Sequence, residues 1–239
     1  MILLDGKALS EKIKEEVKVE VAQLVEEKQI TPGLAVILVG NDAASATYVA
    51  SKAKSCKNAG IYSVVHEMPE SITQEELLET IARMNENPKL DGILVQLPLP
   101  KHIDTTVVLE AIDPLKDVDG FHPYNVGRMV SNLDAFLPAT PFGVMRMFQE
   151  YGIELSGKNV VVIGSSDIVG KPMASLLINA KATVTVCNSR TKDLASHTKA
   201  ADIVVIAVGV PYLLKADMVK DGAIVIDVGI NRLDTGKLV

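Results

Sequence analysis

The chain has 239 residues and a mass of 25.6 kDa, enough for one large domain or two small ones. Hydrophobic residues make up 48% and charged residues 23% of the sequence, a balance that excludes a disordered chain. The net charge of −6 lacks the basic excess of nucleic-acid-binding proteins, so we expect no nucleic-acid partner.

The N-terminal sequence is unlike an export signal or a membrane anchor. Residues 1–6 lead directly into the charged run 10–18, which is not typical of a signal peptide. The longest uncharged stretch, 29–41, is too short to cross a bilayer. We therefore expect a cytoplasmic protein with no membrane partner. Cys56 and Cys187 are most simply reduced thiols there, and a disulfide between them stays open.

The first hundred residues alternate between predicted helices and strands. Apolar residues recur every three or four positions from Leu9 to Leu24, which predicts an amphipathic helix. The further elements are predicted strands at 34–39, 62–67 and 92–96, a helix at 43–59 ending at Gly60, and a helix at 74–85 behind a Thr73–Glu76 capping box. This alternation predicts a parallel α/β sheet.

A second alternating unit follows a proline-rich stretch at 115–140. Thr140 is predicted to be the N-cap of a helix, with Pro141 at its first position. The later elements are predicted strands at 159–163, 182–186, 203–208 and 223–228, and helices at 171–180 and 191–200. We predict an N-terminal α/β domain at 1–120, a linker at 121–139, and a second α/β domain at 140–239.

The turn after the strand at 159–163 has the context of a dinucleotide site. Gly164, Ser165 and Ser166 open a loop that reaches Gly170 at the start of a helix. In that setting bare backbone can approach a pyrophosphate at a helix N-terminus. The spacing is not GxGxxG, so an ordinary strand-to-helix turn stays open.

The end of the next strand bears on the choice of nucleotide. Ser189 and Arg190 stand there, and no acidic residue occurs where NAD sites carry one. A hydroxyl and a cation suit a 2′-phosphate, which favours NADP over NAD. A solvated surface charge is an equally good interpretation of Arg190.

Three polar residues of the first unit are candidates for chemistry. Tyr48 and Lys52 stand at i and i+4 on one predicted helix and so share a face, where a lysine can donate or accept a proton. A lysine stem lying over a ring is the more ordinary interpretation. Gln96 ends a strand at the carboxyl edge, where ligands bind in α/β proteins, or it satisfies the backbone there.

The segment 113–123 carries three carboxylates, Asp113, Asp117 and Asp119, together with His122. Such a loop can hold a metal or a cationic ligand, or it is a charged surface turn. The four histidines lack HxxxH and HExxH spacing, and we assign no metal.

Long motifs in a fixed order resemble the bifunctional methylenetetrahydrofolate dehydrogenase/methenyltetrahydrofolate cyclohydrolase (FolD) family. They are YVxxK at 48–52, QLPLP at 96–100, KDVDGF at 116–121, PxTPxG at 138–143 and IVGKP at 168–172. The resemblance runs from residue 4 to residue 232. It implies two α/β domains flanking a folate-binding cleft, with NADP on a C-terminal Rossmann-like parallel sheet.

The resemblance also implies an activity and residue roles. The activity is oxidation of 5,10-methylenetetrahydrofolate to 5,10-methenyltetrahydrofolate with NADP, followed by hydrolysis to 10-formyltetrahydrofolate. A homodimer that serves one-carbon metabolism and purine biosynthesis is expected. Lys52 would be the catalytic acid/base, Tyr48 would pack against the folate, Gln96 would hydrogen-bond Lys52, and Asp119 would bind the pterin ring. The residues implied for cofactor binding are Gly164, Ser165, Ser166, Ser189, Arg190 and Ile230.

The chain departs from the family pattern in several places. Ser165 stands where an arginine near the 2′-phosphate is common, which leaves NAD open as a cofactor. Asn188 replaces a frequent histidine, and Ala139 replaces a usual cysteine. The family also continues past Val239 with a PGGVGPMT segment and a final helix, whose absence we expect to impair activity or to mark a fragment.

Two alternative functions stay open at this point. One is a truncated, catalytically impaired relative that binds folate or nucleotide without turnover. The other is a different Rossmann oxidoreductase of the shikimate dehydrogenase type, against which the set of Tyr48, Lys52, Gln96 and Asp119 argues.

Overall fold

The protein, described by a computed structural model over residues 2–229, divides into two compact units between Asn125 and Val126. Each unit contains one parallel sheet with helices beside it, with strand order β2-β1-β3 in the first and β5-β4-β6-β7 in the second. The predicted α/β class with two domains, the second Rossmann-like, is confirmed. The limits predicted for the domains and the linker stay a prediction.

The first unit contains four helices and three strands. They are α1 (Gly6–Lys28), β1 (Gly33–Val39), α2 (Ala43–Ala59), β2 (Tyr62–Met68), α3 (Gln74–Asn85), β3 (Gly92–Val95) and α4 (Thr105–Glu110). A further helix, α5 (Pro123–Val130), crosses the boundary between the units within the stretch predicted as linker. The predicted strands and long helices of this unit are confirmed to within a few residues. Helices α4 and α5 are not among the predicted elements.

The central strand β1 is buried on both faces, which explains its continuous apolar sequence. Ala35, Ile37 and Val39 pack in a cluster with α3 and α4 residues, whereas Val36 and Leu38 pack with Val49 of α2. The predicted capping box begins α3, since the Glu76 backbone N–H donates to Thr73 Oγ1 at 3.2 Å and the Thr73 N–H donates to Glu76 Oε2 at 2.9 Å. Such a cap stabilises a helix by about 1 kcal/mol.

The segment that follows α4 lies along the free side of β3. The Ile93 N–H donates to Lys116 O at 2.7 Å, and Ile93 forms a parallel bridge with Asp117. Gly92 permits this close approach, because a Cβ there would lie 2.5 Å from Val118 Cγ1. The arrangement places the KDVDGF motif beside the strand that leads to Gln96.

The second unit continues with three helices, one 3₁₀ turn and four strands. They are α6 (Ala139–Glu150), β4 (Asn159–Ile163), α7 (Gly170–Asn179), β5 (Thr183–Cys187), α8 (Leu194–Ala200), β6 (Ile203–Ile206), the 3₁₀ turn Ala216–Met218 and β7 (Ile224–Asp227). The inner strands β4 and β6 are almost fully buried, and β5 is an edge strand with exposed residues.

Two predicted helix starts in this unit are wrong. Helix α6 begins at Ala139 after Pro138, without a side-chain cap, so Thr140 is not its N-cap and Pro141 is its third residue. A proline is tolerated there because the first turn has no intrahelical partner for its N–H groups. Helix α8 begins at Leu194, since the Thr191 side chain closes a turn by accepting from the Asn188 N–H.

Candidate active site

Lys52 and Gln96 meet in the first unit. Lys52 lies on α2, and Gln96 follows β3 directly, with its backbone N–H donating to Ile37 O of β1 at 2.9 Å. Lys52 Nζ donates to Gln96 Oε1 at 3.0 Å, and Gln96 Nε2 donates to Leu97 O at 2.8 Å. The second bond orients the amide so that its oxygen faces the lysine.

Tyr48 lies one helical turn before Lys52 and is 43% exposed. An aromatic ring this exposed on a helix with a half-buried lysine can cover an apolar ligand. The structure thus places Tyr48 on the same helix as the Lys52–Gln96 pair, as the i, i+4 spacing predicted.

Asp119 is a half-buried carboxylate within electrostatic reach of Lys52. Burial raises the pKa of Asp119 to about 6, the nearby positive charge of Lys52 opposes that rise, and the negative charge of Asp117 adds to it. Asp119 is therefore an anionic acceptor at neutral pH in a site that partly excludes water. Such a carboxylate suits a ligand edge with paired N–H donors.

Asp117 differs from Asp119 in being buried, a difference that is not apparent from the sequence. It is 1% exposed, and its Oδ2 accepts from the His122 N–H and from Asn125 Nδ2, both at 2.9 Å. Alternation of charged and apolar residues in KDVDGF does not tell which carboxylate is buried. Among residues 2–229 no group of three or more potential ligands could hold a metal ion.

The predicted nucleotide turn occupies the carboxyl edge of the second sheet. The Gly164 N–H donates to Cys187 O at 2.8 Å, and a Cβ on Gly164 would lie 2.4 Å from Ala207 O. A Cβ on Gly170 would lie 2.2 Å from Gly164 O. Ser166 Oγ accepts from the backbone N–H groups of Val169 and Gly170, both at 3.3 Å.

Only glycine fits at these two positions. The N–H groups that open α7 are engaged within the turn, since the Gly170 N–H donates to Ser166 Oγ and the Lys171 N–H donates to Ser166 O. The turn is therefore a glycine-lined surface that a dinucleotide could approach closely, with Ser165 in the same turn.

Ser189 and Arg190 follow β5 in an exposed loop next to this turn, because Cys187 pairs with Ile163 at the ends of adjacent strands. Asn188 shapes the loop, since its Oδ1 accepts from the Arg190 N–H at 2.9 Å. The sixth residue implied for cofactor binding, Ile230, lies outside the described residues.

The two cysteines are free and buried, so the disulfide left open by the sequence is not formed. Burial raises the pKa of both the Cys56 and the Cys187 thiol. Within residues 2–229, every helix is too short or too polar to span a bilayer.

Comparison with protein families gives two matches along the chain. The model of the tetrahydrofolate dehydrogenase/cyclohydrolase catalytic domain matches residues 4–119. The model of the NAD(P)-binding domain of the same enzymes matches residues 138–239. Together they account for most of the sequence.

Individual proteins are similar over the full chain. The bifunctional protein FolD of Aliarcobacter butzleri is 91% identical over 239 residues, which are 100% of this chain and 83% of that protein. The FolD protein of Nautilia profundicola is 66% identical over 100% of this chain and 84% of its own length.

Solved structures agree with this. The crystal structure of the bifunctional enzyme FolD from Campylobacter jejuni has a TM-score of 0.98 and 55% identity, covering 100% of this chain and 85% of that one. The dehydrogenase-cyclohydrolase of Trypanosoma brucei, complexed with NADP cofactor and inhibitor, has a TM-score of 0.95 and 40% identity, covering 100% and 84%.

The environment of Asp119 predicts a stability that depends on pH. A carboxyl whose pKa is raised from 3.8 to about 6 stabilises the native state below pH 3.8 and loses that contribution as the pH rises through 6. Asp119→Asn should therefore be more stable than the parent at pH 8, with a free energy of unfolding in urea higher by on the order of 1–3 kcal/mol. The difference should be smaller at pH 5.

The matched control is Asp113→Asn in the same segment. Asp113 Oδ1 accepts from the Leu115 N–H, a bond that asparagine can keep. We expect this variant to follow the parent at both pH values. Equal stability of Asp119→Asn and the parent at pH 8 would contradict the prediction.

Proposed function

Because the chain belongs to the tetrahydrofolate dehydrogenase/cyclohydrolase family, we propose that its Lys52–Gln96 pair carries the proton transfers of the reaction. The protein oxidises 5,10-methylenetetrahydrofolate to 5,10-methenyltetrahydrofolate with NADP, and it hydrolyses that product to 10-formyltetrahydrofolate. The observation that carries the proposal is the 3.0 Å hydrogen bond from Lys52 Nζ to Gln96 Oε1 beside Asp119.

Lys52 is proposed to act in the hydrolytic half of the reaction. The methenyl carbon is an electrophilic cation, and in its neutral form the Lys52 amine takes a proton from the water that attacks it. The resulting ammonium returns a proton to N5 as the bond between that carbon and N5 breaks. The hydroxyl proton leaves to solvent, and the carbon stays on N10 as a formyl group.

Gln96 and Asp119 are proposed to set the position of that amine and of the folate. Gln96 Oε1 holds the lysine amine in one direction, and Leu97 O fixes the amide in turn. The Asp119 carboxylate accepts paired N–H groups of the pterin ring, while the exposed Tyr48 ring packs against the folate. These contacts hold the reacting carbon near Lys52, which lowers the entropic cost of the proton transfers.

NADP is proposed to lie on the turn after β4. When bound, NADP accepts the hydride that leaves the methylene bridge. The bare backbone at Gly164 and Gly170 lets the diphosphate approach the turn closely, with Ser165 and Ser166 beside it. Ser189 and Arg190, in the loop that follows β5, are proposed to contact the 2′-phosphate.

Lys52→Met tests the catalytic role directly. Methionine keeps an unbranched stem of similar length but removes proton transfer, so we expect cyclohydrolase kcat to fall by roughly 10²–10⁴-fold. Folate-dependent NADP reduction should be lost as well. Both rates are followed by absorbance of the methenyl product and of reduced nicotinamide.

Lys54→Met is the control, because Lys54 is exposed on the same helix and should tolerate the change. Unchanged cyclohydrolase turnover in Lys52→Met would show that the role assigned to Lys52 is wrong.

Arg190→Ser tests whether Arg190 binds the 2′-phosphate of NADP. Loss of a charged hydrogen bond should raise the KM for NADP roughly tenfold or more, with the KM for NAD unchanged. Steady-state kinetics with both nucleotides measure the effect. Lys199→Ser, at an exposed position on α8, should leave both KM values unchanged. An equal change in the two KM values would instead make Arg190 a surface charge.

We infer that the protein works as a homodimer in the cytoplasm. Two buried free thiols suit a reducing compartment. Dimer formation is supported by an apolar face of the second unit, where a surface pocket of about 350 Å³ is lined by Met129, Leu133, Phe142 and Met145. Leu133 is 53% exposed and Phe142 is 44% exposed, and large exposed apolar patches are typical of interfaces.

Leu133→Glu should convert the dimer into monomers, because it places a charge on this apolar face. Sedimentation velocity measures the mass, and Val19→Glu, at an exposed apolar position on α1, is the matched control. A dimer of unchanged stability in Leu133→Glu would move the interface elsewhere.

A further inference from the structure

We propose that Asp117 is a positioning residue for folate binding: its buried carboxylate, held by Asn125 and the His122 backbone, keeps Asp119 beside Lys52. This inference rests on the proposed role of Asp119 as the acceptor for the pterin ring. It gives distinct functions to the two carboxylates of the KDVDGF motif. One of them contacts the ligand, and the other fixes the loop.

The buried carboxylate of Asp117 accepts hydrogen bonds from two donors in the segment that follows it. Both of its hydrogen-bond donors, the His122 N–H and Asn125 Nδ2, reach the same oxygen at 2.9 Å. Asn125 is 2% exposed and donates its other amide hydrogen to Pro114 O at 2.9 Å. A buried carboxylate is strongly unfavourable without donors, so the carboxylate and the amide depend on each other. Together they tie residue 114 to residue 125 around Asp119.

Other anchors hold the part of the loop that precedes Asp119. Lys116 Nζ donates to Asn85 O at 2.7 Å and to Asn87 O at 3.0 Å, where α3 ends. The Lys116 carbonyl accepts from the Ile93 N–H of β3. The loop is thus held to β3 and α3 before Asp119, and to the first turn of α5 after it. Loss of the Asp117–Asn125 contact would weaken the attachment after Asp119, where the His122 N–H still donates to Asp117.

Charge adds a second effect of Asp117 on its neighbour. The groups that act on Asp119 are Lys52 from α2 and Asp117 from its own loop. Beyond the effect of burial, the Asp117 charge raises the pKa of Asp119, and the Lys52 charge lowers it. Removing the Asp117 charge should therefore make Asp119 ionise at lower pH. A residue that served only to fold the loop would not move this titration.

Two variants separate the effect of the Asp117–Asn125 hydrogen bond from the effect of the Asp117 charge. Asn125→Ala removes a donor to Asp117 and should raise the KM for methylenetetrahydrofolate roughly tenfold, with the KM for NADP unchanged. Asp117→Asn removes the charge, while its single amide oxygen can still accept from both donors. In this variant the rise in folate KM on acidification, which reports protonation of Asp119, should begin at lower pH than in the parent.

The control is Thr198→Val in the second unit. Thr198 is fully buried and its Oγ1 donates to Met218 O at 2.6 Å, so this change removes a comparable buried hydrogen bond far along the chain. We expect it to lower Tm with no change in folate KM. Thermal unfolding of every variant shows that the chains compared are folded, and Asp117→Asn remains informative if Asn125→Ala does not fold.

The outcomes distinguish this inference from its premise. An unchanged folate KM in folded Asn125→Ala, or an unmoved pH midpoint in Asp117→Asn, would overturn the positioning role. An unchanged folate KM in Asp119→Asn would overturn the role of Asp119 itself. A raised folate KM in both Asn125→Ala and Asp119→Asn, with a lowered midpoint in Asp117→Asn, is the expected result.

Discussion

A central strand with its two neighbours on opposite sides is the constraint on which each unit depends. In the first sheet β1 lies between β2 and β3, and in the second β4 lies between β5 and β6. The connections leave the carboxyl end of such a strand in opposite directions, which opens a crevice there. In the second unit Gly164 stands at this point, and in the first unit Gln96, which follows the neighbouring strand β3, bonds to Ile37 of β1 beside it. The strand order that buries the core of each sheet therefore also places the polar site at the carboxyl edge of that sheet.

The two sites use this edge in different chemical ways. In the first unit it holds ionisable and amide side chains that contact one another, with Lys52 Nζ bonded to Gln96 Oε1. In the second it is lined by backbone, because a Cβ at Gly164 would collide with Ala207 O. Proton transfer needs a group that can gain and lose a proton, whereas a diphosphate needs close N–H donors. The first unit provides the ionisable side chains, and the second provides the bare backbone of the glycine turn.

The ionised carboxylate of Asp119 lowers the stability of the folded first unit. Its carboxylate is ionised at neutral pH although burial and Asp117 both oppose the charge. The surrounding anchors at Asn85, Lys116 and Asn125 keep it there. A functional group that destabilises its own protein is expected where binding requires a desolvated charge.

Local patterns carried much of the sequence-based prediction. The Thr73–Glu76 box and Gly60 correctly marked helix ends, because caps depend on neighbouring residues alone. The apolar runs of β1 and β4 correctly marked central strands. Thr140 was misassigned because Pro141 is tolerated anywhere in a first turn, and α8 was extended too far because Thr191 closes a turn of its own. The short helices α4 and α5 carry too few turns for a clear period.

The sequence by itself determined the order of strands and helices, the family, and which residue types stand at strand ends. These follow from periodicity and from motifs, both of which are readable along the chain. Only the tertiary structure decided that Lys52 and Gln96, 44 positions apart, share a hydrogen bond. It also decided that Asp117 is buried and Asp119 faces the lysine charge. Burial and electrostatic environment are set by segments distant in sequence, so no local pattern can specify them.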